Sequence, residues 1–281
     1  MKTGLVMEGG AMRGLYTCGI MDVFMENGIT FDGAIGVSAG GTFGCNYGSW
    51  QPGRALRYNL KYAHDLRYSS IAALLLTGDL YPVKFDYDLL PKRLDIFDTF
   101  TFRTNPMRFY IVVTECKSGA PVYHELKRMD EEDLTWLRAS ASMPVAAQIV
   151  HIDGRGYLDG GCSDAIPLKH FQEMGYEKNI VILTQPDGYR KQPQKGLTFM
   201  RPFLRQAPGV YEDLKHRHIA YNETLDYVAE QEKGRNTLVF RPREPLPIQH
   251  VSHSRKDLQS VYDLGRKEAE ERLEEVKQFL A

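Results

Sequence analysis

Residues 36 to 40 read Gly36-Val37-Ser38-Ala39-Gly40. They join an apolar run, FDGAIGV (31–37), to the small-residue stretch SAGGTFGCNYGS. A G-x-S-x-G sequence between a strand and a helix is the setting in which a tight turn lifts a serine oxygen off the end of a sheet. Gly36 and Gly40 let the backbone bend there with little steric obstruction. The amides at the start of the following helix point at the same spot, where negative charge is stabilised. Ser38 so placed is a candidate nucleophile. The competing reading is a glycine-rich turn with an incidental serine.

A second stretch, Gly9-Gly10-Ala11-Met12-Arg13-Gly14, also lies between an apolar strand candidate and a helix candidate. Its small residues leave backbone N–H groups able to converge on one oxygen, as an oxyanion hole requires, and Arg13 adds a cation. A phosphate-binding loop would use similar residues. However, there is no G-K-[ST] ending, and the spacing is not G-x-G-x-x-G. A third stretch, YLDGG (157–161), places Asp159 before Gly160 and Gly161. Its carboxylate is a candidate acceptor for the Ser38 proton. By itself it also reads as an Asp-Gly hairpin turn.

The elements around these residues follow from periodicity. TGLVM (3–7) reads as a buried strand. A helix follows to about Asn27, with Leu15, Cys18, Met21, Phe24 and Met25 at spacings of three and four. FDGAIGV is a second strand, and SAGGTFGCNYGS opens a second helix. Strand, helix, strand, helix implies a mostly parallel α/β sheet. RFYIVVTEC (108–116) and KNIVILT (178–184) are further strands, and DEEDLTWLRAS (130–140) is a helix with acids in its first turn. Residues 66–106 mix aromatics, prolines and acids, and read as an insertion of short elements. Its run IAALLLTGDLYPVKF (71–85) would form an acyl-binding wall, an interfacial lid or a buried helix.

Composition changes after Thr184. QPDGYRKQPQKG is polar and reads as a linker, which places a boundary near residue 186. Beyond it, Tyr211, Leu214, His218, Tyr221, Leu225 and Val228 keep helical spacing over 211–230. Leu258, Val261, Leu264, Leu273, Val276 and Leu280 do so over 257–280. NTLVF (236–240) reads as a short strand between these helices. Two units are therefore expected, residues 1–185 and a mainly helical extension, 186–281.

The bulk numbers exclude several classes. The formal net charge is −1, which gives no electrostatic footprint for nucleic acid. Cys18, Cys45, Cys116 and Cys162 form no C-x-x-C pair, so neither a zinc site nor a disulfide framework is expected. No aspartate-rich calcium loop is evident, and neither metal nor other cofactor is expected. The N-terminus has no signal-peptide h-region and the longest aliphatic run, IAALLL, is far below a membrane span. A cytoplasmic protein is expected, with peripheral membrane contact open and no prediction of oligomeric state.

Together, the three stretches in this order resemble the patatin-like phospholipase family. That family has a glycine-rich oxyanion loop near the N-terminus, a G-x-S-x-G serine and a later D-G-[GA]. RASASMP (138–144) is similar to the family's segment between helix and active site, and the resemblance covers about residues 3–185. The family's oxyanion loop usually opens with three glycines, whereas Ala11 holds the third place here. Alanine is expected to leave the backbone accessible provided its φ stays negative.

The resemblance implies a patatin-like three-layer α/β fold and a Ser38–Asp159 dyad acting on acyl esters of lipids, phospholipids included. Two other readings use the same residues, a short-chain carboxylesterase and a non-catalytic lipid-binding or regulatory protein. The residues by themselves also admit a Ser–Asp–His triad, because His170, His216, His218, His250 and His253 follow Asp159. The position of the elbow after only the second strand argues against an α/β-hydrolase of that kind.

Overall fold

The computed structural model describes residues 1–249 and 252–281. Strand β1 (Lys2–Met7) leads through a 3-10 turn (Ala11–Arg13) into α1 (Gly14–Glu26). Then come β2 (Gly33–Val37), α2 (Ala39–Gly48) and α3 (Arg54–Tyr62). Residues 66–106 hold α4 (Ile71–Thr77), a π-helical segment (Lys84–Leu94) and α5 (Thr99–Thr104). Next are β3 (Arg108–Glu115), β4 (Pro121–Leu126), α6 (Glu131–Ser140), β5 (Val150–Ile152) and β6 (Arg155–Asp159). The chain continues with α7 (Leu168–Glu173), β7 (Tyr176–Ile182), α8 (Leu197–Met200) and α9 (Pro208–Lys233). It ends with β8 (Thr237–Phe240), α10 (Arg255–Glu271) and α11 (Leu273–Leu280).

The strands form one sheet in the order β5-β6-β3-β2-β1-β7-β8, with β4 also paired to β3. Strands β8, β7, β1, β2 and β3 run parallel. Strands β4, β5 and β6 are antiparallel additions that the apolar pattern did not announce.

Alternation along the parallel strands explains the layers, because successive side chains leave opposite faces. Leu5, Met7, Ile111, Val113, Ile180 and Ile182 enter one core with α1, α2 and α10. Val6, Tyr110, Val112, Val181 and Leu183 enter the other with α7 and α9. The sheet is sandwiched between helices, a mixed α/β arrangement in three layers. Helices α9, α10 and α11 form the C-terminal helical extension.

The extension is tied to the rest of the chain. Strand β8 pairs in parallel with β7, so the strand expected at 236–240 lies in the central sheet. Helix α10 packs backbone to backbone on α1. A Cβ on Gly265 would lie 2.0 Å from the Tyr16 carbonyl, and one on Gly19 would lie 2.2 Å from that of Tyr262. Around this crossing the Tyr16 hydroxyl donates to Glu268 at 2.6 Å, and the Tyr262 hydroxyl donates to Asp22 at 2.7 Å.

Two expectations are corrected. The pattern over 257–280 predicts one helix, but the chain breaks at Arg272, with φ −109° and ψ 11°. There the guanidinium turns to donate to the Val239 carbonyl at 2.8 Å and lies over the Phe240 ring. The apolar run at 71–76 forms α4, yet only Ala73 of that helix is buried. Ile71, Leu75 and Leu76 are 73–85% exposed, so the buried-helix reading of this segment does not hold.

Candidate active site

Ser38 stands between β2 and α2 with φ 53° and ψ −120°, a conformation that non-glycine residues rarely adopt. Two glycines make room for it. A Cβ on Gly36 would lie 2.2 Å from the Gly40 carbonyl, and one on Gly40 would lie 2.4 Å from the Met7 carbonyl. The elbow is therefore pressed directly onto the end of β1. The Ser38 carbonyl accepts from the Gly41 and Thr42 amides at 3.0 and 2.9 Å, which starts α2. Its amide donates to Ser140 Oγ at 3.2 Å, and Ser140 Oγ donates to the Val112 carbonyl at 2.7 Å.

Asp159 ends β6, which pairs with the C-terminal end of β3. Its amide donates to the Ser142 carbonyl at 2.8 Å. The segment RASASMP thus supports both residues, Ser38 through Ser140 and Asp159 through Ser142. Asp159 Oδ1 accepts from the Gly161 amide at 2.7 Å, and the Ser38 hydroxyl is near enough to the carboxylate to favour its charged form. Burial pushes the Asp159 carboxyl above the ordinary aspartate range. The Ser38 hydroxyl, the Gly161 amide and the charge of Arg217 pull partly the other way. Gly160 and Gly161 follow as a short 3-10 turn. Arg217, on α9, donates Nε–H to the Gly161 carbonyl at 2.5 Å.

The Gly9–Gly14 loop lies at the C-terminal end of β1, beside the elbow. A Cβ on Gly9 would stand 3.0 Å from that of Ser38. Gly10 packs on Thr184 and Gly14 on Phe43 and Ala39. Ala11 has φ +49°, not the negative value expected of it. The turn itself demands this left-handed residue, which costs an alanine about 1–2 kcal/mol relative to the right-handed region. Met12 is buried. Arg13 donates its amide to the Gly10 carbonyl at 3.1 Å, and the Gly14 amide closes on Ala11. The loop is anchored by Glu8, a buried carboxylate that accepts from the Thr184 amide and hydroxyl at 2.5 and 3.0 Å and from the Tyr221 hydroxyl.

Three cations gather on the α9 side. Lys191 lies over the Tyr221 ring at 4.3 Å. Its ammonium is pushed down to about 8, first by burial and then by the charges of Arg217 and Arg13, against the pull of Glu8. On the other side Ser38 opens into a cavity of about 210 Å³, lined by Met12, Phe43, Leu90, Phe97, Leu134 and Leu137 among others. That is more than the ~150 Å³ of an apolar cavity that takes benzene.

None of the described histidines bonds to Ser38 or Asp159. His170 stacks on Tyr123, His216 bonds the Glu212 carbonyl and His253 the Ala63 carbonyl. His218 Nδ1 is buried without a hydrogen-bond partner, and His250 lies outside the described residues. Among the described residues no group of three His, Cys, Asp or Glu side chains is arranged to hold a metal ion. The four cysteines are free and buried.

Sequence reasoning missed Glu8, Ser140, Thr184, Lys191 and Arg217. Ser140 lay in the stretch RASASMP and Glu8 directly before the Gly9–Gly14 loop, while Thr184 and Lys191 lay in stretches read only as a strand and a linker. Thr184, Lys191 and Arg217 are brought to the site by the sheet and by α9, and nothing in their local sequence marks a role there.

The model of the patatin-like phospholipase family matches residues 5–171, and a model described as a domain of unknown function (DUF6363) matches residues 207–281. Uncharacterized protein YjjU of Escherichia coli (strain K12) is 27% identical, over 94% of this chain and 75% of that protein. Lysophospholipase nte1 of Aspergillus terreus is 24% identical over 98% of this chain, which spans only 18% of that protein's length. Among solved structures, VipD from Legionella pneumophila aligns over 95% of this chain and 67% of its own, with a TM-score of 0.40 and 10% identity. The family match spans most of the sheet, the elbow and the aspartate turn, and this chain belongs to the patatin-like phospholipase family.

Proposed function

We propose that the protein is a serine lipid acyl hydrolase that cleaves carboxylic ester bonds of phospholipids or related acyl lipids. Ser38 is the nucleophile and Asp159 the general base. The observation that carries the reading is Ser38, in a strained turn on the wall of a largely apolar cavity, with its hydroxyl beside the buried Asp159 carboxyl and helping to hold its charge. Asp159 takes the Ser38 proton as Oγ adds to the ester carbonyl, and the tetrahedral oxyanion forms. The C–O bond to the alcohol then breaks, and the alcohol leaves with the proton from Asp159. A serine ester remains. Water, losing a proton to Asp159, adds to it, and Ser38 is regenerated as the fatty acid departs.

The oxyanion hole in this mechanism is drawn from the loop Gly9–Gly14. Because the Arg13 and Gly14 amides close the turn, the donors proposed are the amides of Gly10 to Met12, with that of Ala39 at the start of α2. Arg13, Lys191 and Arg217 favour a substrate with an anionic head group. The name lysophospholipase carried by the fungal relative is in keeping with such a substrate. Exposed Ile71, Leu75 and Leu76 on α4 are the proposed peripheral contact with a membrane, reached from the cytoplasm. No helix among the described residues is long and apolar enough to cross one. In this reading residues 1–185 carry the chemistry and residues 186–281 brace it, through α10 on α1 and Arg217 on the aspartate turn.

The test is fatty acid release from phosphatidylglycerol, its lyso form and a short-chain nitrophenyl ester, by wild type and Ser38→Ala. Release from the lipids by wild type alone is expected. Cleavage of the short ester without the lipids would leave a short-chain esterase, and no cleavage of any would refute the reading.

A further inference from the structure

The wall of the cavity that holds Ser38 is not uniformly apolar. Asp86, on the π-helical segment Lys84–Leu94, lines it, together with Tyr58, Tyr68, Tyr81 and Tyr87. Both Asp86 carboxyl oxygens are buried, and neither has a hydrogen-bond partner among the described residues. Buried polar groups in folded proteins are nearly always satisfied, and a carboxyl left unmet at a cavity wall asks for a partner inside the cavity. Burial, helped by the negative charge of Asp65, holds this carboxyl well above the ordinary aspartate range. A carboxyl whose charge is disfavoured in this way is best met by an uncharged hydrogen-bonding group, and its protonated form offers one O–H donor and one carbonyl acceptor.

The ligand group that answers such an acid both donates and accepts. A plain alkyl chain does neither. A cation would need Asp86 ionised, in a wall that already contains Arg54, whose guanidinium lies 5.3 Å from the Tyr58 ring centroid. A hydroxyl matches it.

We propose that Asp86 is a specificity-determining residue of this cavity and that the acyl chain received there carries a hydroxyl group. The inference rests on the reading of Ser38 as the residue that accepts the acyl group. It adds a substrate class, hydroxy-acyl esters, that the Ser38–Asp159 arrangement does not itself imply. Asp86 takes no part in bond making. It acts by binding the chain, and a site built to hydrogen-bond a hydroxyl discriminates strongly against the analogue that lacks it.

The experiment uses the full chain and nitrophenyl esters of octanoate and decanoate. The chains are unsubstituted, carry a single hydroxyl at successive positions, or end in an ammonium group. Wild type is expected to favour at least one hydroxy isomer over the unsubstituted ester by about tenfold or more in kcat/KM. In Asp86→Leu the ratio of hydroxy to unsubstituted kcat/KM is expected to fall by about tenfold or more. Asp86→Asn, which keeps a donor and an acceptor, is expected to retain part of the preference. Calorimetric binding of the free acids to Ser38→Ala gives a second readout, with hydroxydecanoate expected to bind more tightly than decanoate. An active wild type that prefers the unsubstituted or the ammonium ester, or an unchanged ratio in a folded Asp86→Leu, would overturn the inference and leave the hydrolase reading standing. Failure of every ester, with no chemical labelling of Ser38, would overturn both.

Discussion

Gly40→Ala tests whether the pressure of the elbow on β1 sets the position of Ser38. The added Cβ would stand 2.4 Å from the Met7 carbonyl oxygen and 2.9 Å from that of Glu8, both backbone atoms. Ordinary contact begins at 3.4 Å, so the first turn of α2 and the end of β1 must separate by about 1 Å. Overpacking of this kind costs about 1–3 kcal/mol. At roughly 2–4 °C per kcal/mol for a chain of this size, the melting temperature should fall by roughly 2–12 °C. The same separation moves Ser38 away from Asp159 and from the Gly9–Gly14 loop. A misplacement of about 1 Å costs on the order of 100-fold in rate. The assay is kcat/KM on a nitrophenyl ester beside a thermal melt. Gly28→Ala is the control, because its Cβ would meet nothing within 4 Å. It is strained by its φ of +66° but remote from the chemistry, so it should lose stability and keep activity. A Gly40→Ala protein with wild-type kcat/KM would refute the claim that close approach of β1 and α2 positions the serine.

Three further outcomes follow from the same geometry. Arg217→Met removes a cation that favours the ionised form of Asp159. In the proposed mechanism the base is ionised Asp159, so the acid limb of the pH–rate profile should move to higher pH, and an unmoved limb would separate Arg217 from the base. Leu75→Glu with Leu76→Glu should slow hydrolysis of vesicle lipids while leaving a soluble ester unaffected, and equal slowing of both would exclude α4 as the membrane contact. Asp22, buried between α1 and α10, is raised to about 6, chiefly by burial. The folded protein therefore keeps a proton that the unfolded chain releases near pH 4, and stability falls as pH rises through that window by about 3 kcal/mol. Asp22→Asn, whose side-chain oxygen can still accept from Gly53 and Tyr262, should melt like wild type near pH 4 and higher than wild type at pH 7. The reverse order in a pH series of melts would contradict this.

Much of the site is legible in sequence because its parts are local. Tight turns at strand ends demand glycine, so G-V-S-A-G and L-D-G-G mark Ser38 and Asp159 within a few residues. The parallel strands are legible because they are buried on both faces and read as continuous apolar runs. What was not legible depends on distant partners. Strand β8 has the same local signal whether it belongs to an appended unit or to the central sheet, and only its pairing with β7 decides. The break at Arg272 comes from a tertiary contact with Val239 and Phe240, which helical spacing cannot reveal. Arg217 is one cation on a polar helix until α9 is laid across the aspartate turn. The positive φ of Ala11 is likewise imposed by the way the loop closes into α1, against the preference of the residue.

The most direct test of the account is labelling by a fluorophosphonate probe, followed by mass spectrometry to locate the label, in wild type, Ser38→Ala and Asp159→Asn. Labelling of Ser38 in wild type and in neither variant is the predicted result. Labelling that persists at Ser38 in a folded Asp159→Asn protein would contradict it, because another group would then be activating the serine.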